Sequence, residues 1–489
     1  MHRNVPPLLV SSNLTICTPL MLAALPFALV AASADTAEKI TADALADENE
    51  QQGLRLNYPF GLDDEPFGAA FAGTHSLTLG GFALFDWGNI NQDKSLDALV
   101  YNRGSDAELS DLKVELRGRA IGDFWFKLQL DIEDGELEIQ DNYLVRNGVP
   151  YLGSFQLGHF KEPFGLENLG PIRHSLFMER SLVRELTPGR SIGVSASNTA
   201  FGERLTWTAG AFYETHTLDA IGDSSAFAIT GRVTALPLYR EENKELLQVG
   251  LSASHRTLYT PARFEPRPET SLYAAYLDTG EFSAKTLDLF GLEAAYMQGP
   301  LYLQGEYIWG QTSGAVRATD LTLDDLADYA TTYAPRFIAY LLGRNDRAWP
   351  DENPLWEIPF DLAARDDVFL FGTYAQVGYV LTGESRKYDK SKGMIGPVVP
   401  NNPIRRGSRG TGAWEIGLRI SHIDLNDEFV RGGRETNLTV GLNWYLNENT
   451  RVMWNYIHGL VNRADYEGEF DAVQMRFQVE FAAKPLTHR

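Results

Sequence analysis

From Val473 to Phe481 every second residue is apolar. Val473, Met475, Phe477, Val479 and Phe481 alternate with Gln474, Arg476, Gln478 and Glu480. Successive side chains of a β-strand point to opposite faces, so such a segment has one oily face and one hydrophilic face. The period recurs upstream. Trp414, Ile416, Leu418 and Ile420 oppose Glu415, Arg419 and Ser421; Leu438, Val440, Leu442, Trp444 and Leu446 oppose Thr439, Gly441, Asn443 and Tyr445. Val452, Trp454 and Tyr456 continue the oily set against Asn455. Phe124, Phe126, Leu128, Leu130 and Ile132 oppose Trp125, Lys127, Gln129, Asp131 and Glu133, and Leu112, Val114 and Leu116 oppose Lys113, Glu115, Arg117 and Arg119. Two architectures satisfy this pattern. In a soluble sandwich the oily faces pack together; in a membrane barrel they face lipid and the hydrophilic faces surround a wet lumen. Strands of about 9–11 residues match a tilted bilayer crossing. Trp87, Trp207, Tyr445, Trp454 and Tyr456 lie near strand ends, where bilayer interfaces favour aromatic rings. These features select the barrel: an all-β, antiparallel transmembrane fold over residues 71–481.

The flanks read differently. Residues 1–34 have the form of a secretory signal peptide: His2 and Arg3, the stretch LMLAALPFALVAA, and an A-x-A cleavage pattern at Ala32-Ser33-Ala34. The stretch is short for a bilayer span, and Pro26 interrupts it. Cleavage there removes the single cysteine, Cys17, and leaves a thiol-free chain suited to an oxidising periplasm. Residues 35–70 form an acidic arm, and residues 482–489 a short tail.

Composition excludes several classes. With 43 Lys+Arg against 65 Asp+Glu, the formal net charge is −22, the wrong sign for a nucleic-acid binder. A mean hydropathy of −0.23 is far too low for a bundle of membrane helices. One cysteine permits no internal disulfide and no Cys-based metal site. The nine histidines show neither metal-ligand spacing nor a nucleophile motif, so the sequence offers no catalytic residue, metal or cofactor and does not read as an enzyme.

Residues 156–181 read QLGHFKEPFGLENLGPIRHSLFMERS. This segment resembles the signature of the phosphate- and polyphosphate-selective porin family (porin O and P type): a strand, then FK-x-PFGLE, a loop, and FMERS. Shorter fragments follow the family's order: Asp141-Asn142-Tyr143, Thr234-Ala235-Leu236-Pro237, Thr382-Gly383-Glu384-Ser385, Gly412-Ala413-Trp414-Glu415 and Gly441-Leu442-Asn443-Trp444-Tyr445. The resemblance implies sixteen strands, a third loop folded inward to narrow the pore, a homotrimer in outer-membrane lipid, and passive diffusion of small anions such as phosphate or polyphosphate. The 455 residues after residue 34 give about 28 per strand with its connection, enough for one crossing each. The chain departs from the pattern twice. Ala482 to Arg489 follow Phe481, whereas such barrels commonly end on the aromatic. Residues 316–365 are long and acidic, with the helix-like LTLDDLADYATTYAPRFIAYLL, and are expected as an extracellular excursion or a pore-folded segment.

An anion pore must replace hydration with donors while keeping binding weak enough for exit. Arginine offers a fork that matches phosphate, and lysine a mobile point charge. After Phe160 the candidates for the constriction and anion-binding site are Lys161, Arg173, Arg180 and Arg184. At lumen-parity wall positions they are Lys113, Arg117, Arg119, Lys127, Arg232, Arg419 and Arg476. Glu162, Glu167, Glu179 and Glu185 interleave with the loop cations, so ion pairs that merely hold the loop are the competing role. Pro163, Phe164 and Gly165 read as a turn and its anchor. The negative total does not decide the matter, because a Debye length of about 8 Å screens distant acids from a narrow neck. The expectation is an outer-membrane porin for small hydrophilic solutes, preferring anions. The alternative is a nonselective or weakly cation-preferring porin, and behind it a sealed or structural barrel.

Overall fold

The computed structural model describes residues 77–119, 124–133, 136–214, 226–258, 261–315, 366–407, 409–427 and 430–482. The signal segment, the arm, residues 316–365 and residues 483–489 of the tail lie outside them. One half of the wall is formed by β1 (Leu77–Gln92), β2 (Gly104–Arg119), β3 (Phe124–Glu133), β4 (Glu136–Val149), β5 (Gly153–Lys161), β6 (Arg190–Ala200), β7 (Leu205–Glu214) and β8 (Ala226–Arg240). The other half is β9 (Glu245–Thr257), β10 (Thr286–Gln298), β11 (Leu301–Ala315), β12 (Asp366–Val380), β15 (Ala413–Asp427), β16 (Val430–Asn447), β17 (Thr450–Arg463) and β18 (Tyr466–Ala482). These sixteen strands close into one antiparallel barrel, β18 returning to β1 from Gly80↔Ala482 to Gln92↔Phe470. Closure satisfies the backbone of every wall strand from its neighbours, which lipid requires because it offers no competing donors. β13 (Arg386–Asp389) and β14 (Met394–Val398) pair only with each other.

The alternation settles which face is which. Leu418 and Ile420 are 45% and 53% exposed on the outside, while Arg419 and Ser421 between and after them are buried inside. On β18, Val473, Met475 and Phe477 face out and Gln474, Arg476 and Gln478 face in. Outward tryptophans stack across β15–β17, with ring centroids 5.1 Å apart for Trp414–Trp444 and 6.4 Å for Trp414–Trp454.

The first and last strands begin and end at the same rim. At this terminus-side rim the connections 150–152, 201–204, 241–244, 299–300 and 448–449 are two to four residues long. Residues 381–412, which carry the β13–β14 hairpin, are the exception. From the distal rim two long connections, 162–189 and 258–285, turn into the barrel.

The lumen is not uniformly polar. Towards the distal rim the inward positions turn apolar: Leu289, Ile308, Leu370, Ile423, Ile457 and Phe470 form one buried cluster with Phe164, Leu182, Val183 and Leu186 of the first inward segment and Phe264, Tyr276 and Leu277 of the second. Oily wall positions therefore occur on both faces where an inward segment covers them. Towards the terminus-side rim the inward wall is polar, with Gln248, Gln304, Gln376, Glu415, Asn443, Arg451 and Gln478.

Placing a cation on the outer face tests this orientation. Ile420→Arg, in mid-wall, is expected to destabilise the folded barrel by about 2–4 kcal/mol, measured by denaturant unfolding in lipid vesicles. Unchanged stability would contradict a lipid-facing Ile420.

Candidate anion constriction

Buried carboxylates hold the inward segments in place. Where 162–189 leaves β5, the fully buried Glu162 accepts from Ser191 Oγ at 2.8 Å, from Arg256 Nη2 at 2.8 Å and from Thr230 Oγ1. Gly165 follows with φ of 72°, a left-handed conformation natural only to glycine, and a Cβ there would press on Glu306. That turn lets the backbone N–H groups of Leu166 and Glu167 donate to Glu306 at 2.8 and 2.6 Å, where Tyr374 Oη also donates at 2.6 Å. Phe164, expected as an anchor, is fully buried in the distal apolar cluster. Glu167 closes the segment on itself by accepting from Ser181 N and Oγ at 3.0 and 2.6 Å.

The other two segments use the same device. Glu269 of 258–285 accepts from Arg419 Nη2 at 2.5 Å, Thr439 Oγ1 at 2.7 Å and Ser421 Oγ. In the hairpin segment, Arg386 donates twice at 2.8 Å to Glu415 and once at 2.8 Å to the His174 carbonyl, so the hairpin supports the first segment from below. Arg232, paired with Glu293, donates to the carbonyls of Lys392 and Gly393. The hairpin thus crosses the lumen from β15 to β8.

These contacts sort the wall candidates. Arg232, Arg419 and Arg476 are buried clamps: Arg476 is forked to Asp86 at 2.7 and 2.5 Å and reaches Glu179, and Arg419 lies 4.5 Å from the Phe177 ring centre. Arg117 pairs with Glu115. Arg119 stands at the end of β2, opposite Trp125. None of these five lines the main cavity. Lys113 and Lys127 do.

That cavity, of about 480 Å³, lies between β1–β4 and the first two inward segments. All four loop candidates, Lys161, Arg173, Arg180 and Arg184, line it, together with Arg190 and Arg267, which makes eight cations with the two wall lysines. Seven acids also line it: Asp111, Glu115, Asp141, Glu179, Glu185, Glu265 and Glu269. The sign of the space therefore depends on which charges are already paired. Lys127 and Arg190 each hold Asp141 at 2.7 Å, Lys113 holds Asp111 at 2.7 Å, and Arg173 lies 3.4 Å from both Glu115 and Glu480. Lys161 donates instead to the Asn168 carbonyl at 2.6 Å, and Arg180 to the Glu167 and Gly170 carbonyls at 3.1 and 2.8 Å. The Arg184 side chain is exposed to the cavity. Among the described residues, none of these three makes an ion pair. Burial, and next the charge of Arg184, draws the Arg180 guanidinium down to about 10, still cationic at neutral pH. Burial raises the Glu185 carboxyl, against the pull of the Glu265 N–H at 2.7 Å.

A second cavity of about 40 Å³ lies towards the terminus side, bounded by Tyr302, Gln304, Gln376, Arg386 and His174. Arg180 and Pro171 border both spaces, so Arg180 stands at the junction. Arg267 and Arg386 were not among the sequence candidates. Arg386 lies in a connection whose inward path has no alternation to announce it, and Arg267 in a Pro-rich stretch with the same lack.

Comparison with known proteins gives a consistent kinship. The family model described as phosphate-selective porin O and P matches residues 86–331 and 348–481. Porin O of Pseudomonas aeruginosa is 23% identical over 450 residues, covering 82% of this chain and 88% of that protein. An uncharacterised protein of Caulobacter vibrioides is 24% identical over 413 residues, covering 81% and 70%. Among solved structures, the outer membrane channel DcaP of Acinetobacter baumannii aligns over 84% of this chain and 100% of its own, with 12% identity and a TM-score of 0.46.

The Glu306 anchor is directly testable. Glu306→Leu removes the acceptor of two backbone N–H groups, and leaving each of these buried donors unsatisfied costs about 1–3 kcal/mol. Amide hydrogen exchange at Leu166 and Glu167 is expected to accelerate by at least about tenfold, with the wall strands unchanged. Unaltered exchange at both positions would show that the carboxylate does not hold the segment.

Proposed function

The chain belongs to the phosphate-selective porin O and P family and is an outer-membrane porin, and we propose that its constriction favours anions of the phosphate class. The observation that carries this reading is the trio Lys161, Arg180 and Arg184, whose charges face the larger cavity with no acid partner among the described residues. Fixed donors replace part of an anion's hydration shell, while a cation meets like charge. Two guanidinium groups favour oxyanions, because the planar fork can take two oxygens at once. Passage is by diffusion down a gradient, with no chemical step. Residues 1–34 act as a cleaved export signal, residues 35–70 as a periplasmic arm and residues 71–481 as the porin domain, and the working unit is a homotrimer. The porin fold and the kinship to Porin O support these assignments.

Planar-bilayer recording in a salt gradient tests the sign. Reversal potentials are expected on the anion side, and phosphate is expected to lower the chloride current by competing for the same donors. Lys161→Glu and Arg184→Glu should each reduce the anion-to-cation permeability ratio by at least roughly tenfold, since each changes the charge by two units and one unit charge about 10 Å away at an effective dielectric constant near 20 is worth about 1.7 kcal/mol. Cation preference in the unmodified protein would defeat the anion assignment and favour the seven acids of the cavity instead. An unmoved ratio in either variant would remove that residue from the path.

A further inference from the structure

Three arginines stand outside the pore at the terminus-side rim. Arg405, Arg406 and Arg409 lie in the connection from β14 to β15, and all three are exposed. We propose that they bind the phosphodiester headgroup of an anionic glycerophospholipid in the leaflet at that rim.

The loop is held on the lipid side of the wall. Ile404 N donates to the Leu446 carbonyl at 2.7 Å, which fixes one limb to the end of β16, and Gly412 N donates to the Asn402 carbonyl at 2.8 Å, which ties the two limbs together. A Cβ at Gly410 would lie 2.1 Å from the Pro403 carbonyl oxygen, so the limbs close this tightly only on glycine. The second limb is pinned by the indole of Trp444, whose Nε1 donates to the Thr411 carbonyl at 3.0 Å. Trp444 faces outward, in register with Trp414 and one pleat from the pair Ile416↔Leu442. A loop held by an outward ring stands over the lipid-facing wall and not over the lumen.

The charges there are only partly met. Arg405 pairs with Glu448 of the β16–β17 turn at 2.8 Å. Among the described residues, Arg406 and Arg409 make no ion pair. The nearby Glu384 is buried and already accepts from Asn401 N at 2.9 Å and from Thr382 Oγ1. Two guanidinium groups are thus left for a ligand, in a chain of formal charge −22.

The surface beneath them has the layering of a lipid. Beside the loop lie the stacked rings of Trp414, Trp444 and Trp454, and beyond these the exposed aliphatic wall of Ile416, Leu418 and Leu438. Stacked tryptophans mark headgroup level in a bilayer, so the arginines stand at the depth of the phosphates. Their forks match phosphate oxygens, while the rings and the wall take the glycerol and acyl portions. Each Lys or Arg beside an anionic leaflet strengthens attachment about fivefold. A free anion would use only the first of these layers. The acidic residues 35–70, which precede β1 at the same rim, would supply opposite charge, but neither the tryptophan stack nor the outward stem serves such a partner.

Native mass spectrometry of the full-length protein in detergent, with equimolar phosphatidylglycerol and phosphatidylcholine, tests the assignment. Both lipids carry a phosphate, and only the first has a net charge. The unmodified protein is expected to retain phosphatidylglycerol over phosphatidylcholine by at least about tenfold. Arg406→Glu with Arg409→Glu is expected to bring the two lipids to about equal retention, and Arg406→Gln with Arg409→Gln to fall between. Arg240→Glu with Lys244→Glu makes the same change of charge at two exposed cations of the β8–β9 connection on the same rim, and is expected to leave the preference within about twofold of the unmodified protein. Gel heat-modifiability checks that each barrel is folded. Excess inorganic phosphate at constant ionic strength is expected to displace neither lipid. The assignment would be overturned by a folded parent with no preference, or by an equal loss in the two Glu double variants, which would leave only general attraction. Displacement of phosphatidylglycerol by inorganic phosphate would overturn it in favour of a plain anion site. Carbodiimide coupling of Arg409→Lys to an acid of residues 35–70, in a protein without lipid preference, would overturn it in favour of the acidic arm. The sign of ion selectivity depends on none of these results.

Discussion

A carboxylate taken out of water inside a narrow barrel must be given donors, and that requirement fixes the interior of this molecule. An ion in such a place costs several kcal/mol unless it is paired with good geometry. Each anchor acid satisfies the condition by joining segments that are otherwise independent. Glu162 ties the first inward segment to β6, β8 and β9; Glu306 on β11 receives its backbone N–H groups; Glu269 ties the second inward segment to β15 and β16; Glu415 on β15 receives the hairpin's Arg386. No inward segment can leave its place without stranding a buried charge. The distal apolar cluster adds cohesion where the first two segments meet, but the acids set the register.

The same arrangement reconciles a formal charge of −22 with the cationic neck proposed above. Its interior acids are largely committed to neighbours, many of them to the arginines that a count of charges would credit to the pore. Arg232, Arg419 and Arg476 are occupied by Glu293, Glu269 and Asp86. What remains towards the cavity is decided by a handful of side chains within a few ångströms, and the outer acids lie beyond the reach of their field at physiological salt.

How much of this was legible follows from how far apart the partners lie in the chain. The wall strands β15 to β18 could be read directly, because lipid demands an oily residue at every second position. The distal lumen could not: Ile423, Ile457 and Phe470 make their strands oily on both faces, and only the segments that cover them explain why. Lys161, Arg173, Arg180 and Arg184 were visible as a cationic stretch, and the fold brings all four to one cavity. Which wall cations were already taken was invisible. Arg419 meets an acid 150 positions away and Arg476 one 390 positions away, and local sequence carries no trace of such pairings. The hairpin of residues 381–412 escaped for a related reason. It leaves from the rim where short turns are the rule, and nothing in its sequence marks an inward course.

The partners of the three cations without an acid among the described residues bear on the proposed anion path. Lys161 and Arg180 are held by backbone carbonyls: Asn168 for the first, Glu167 and Gly170 for the second. A carbonyl dipole orients the group without cancelling its charge, whereas a carboxylate would do both. The side chains are thereby fixed in direction, so in the proposed path little ordering is left for an arriving anion to impose. On the proposed anion path, donors held in this way at the junction between the cavities can replace part of an ion's hydration shell, which is the first half of what throughput requires; release is the other half.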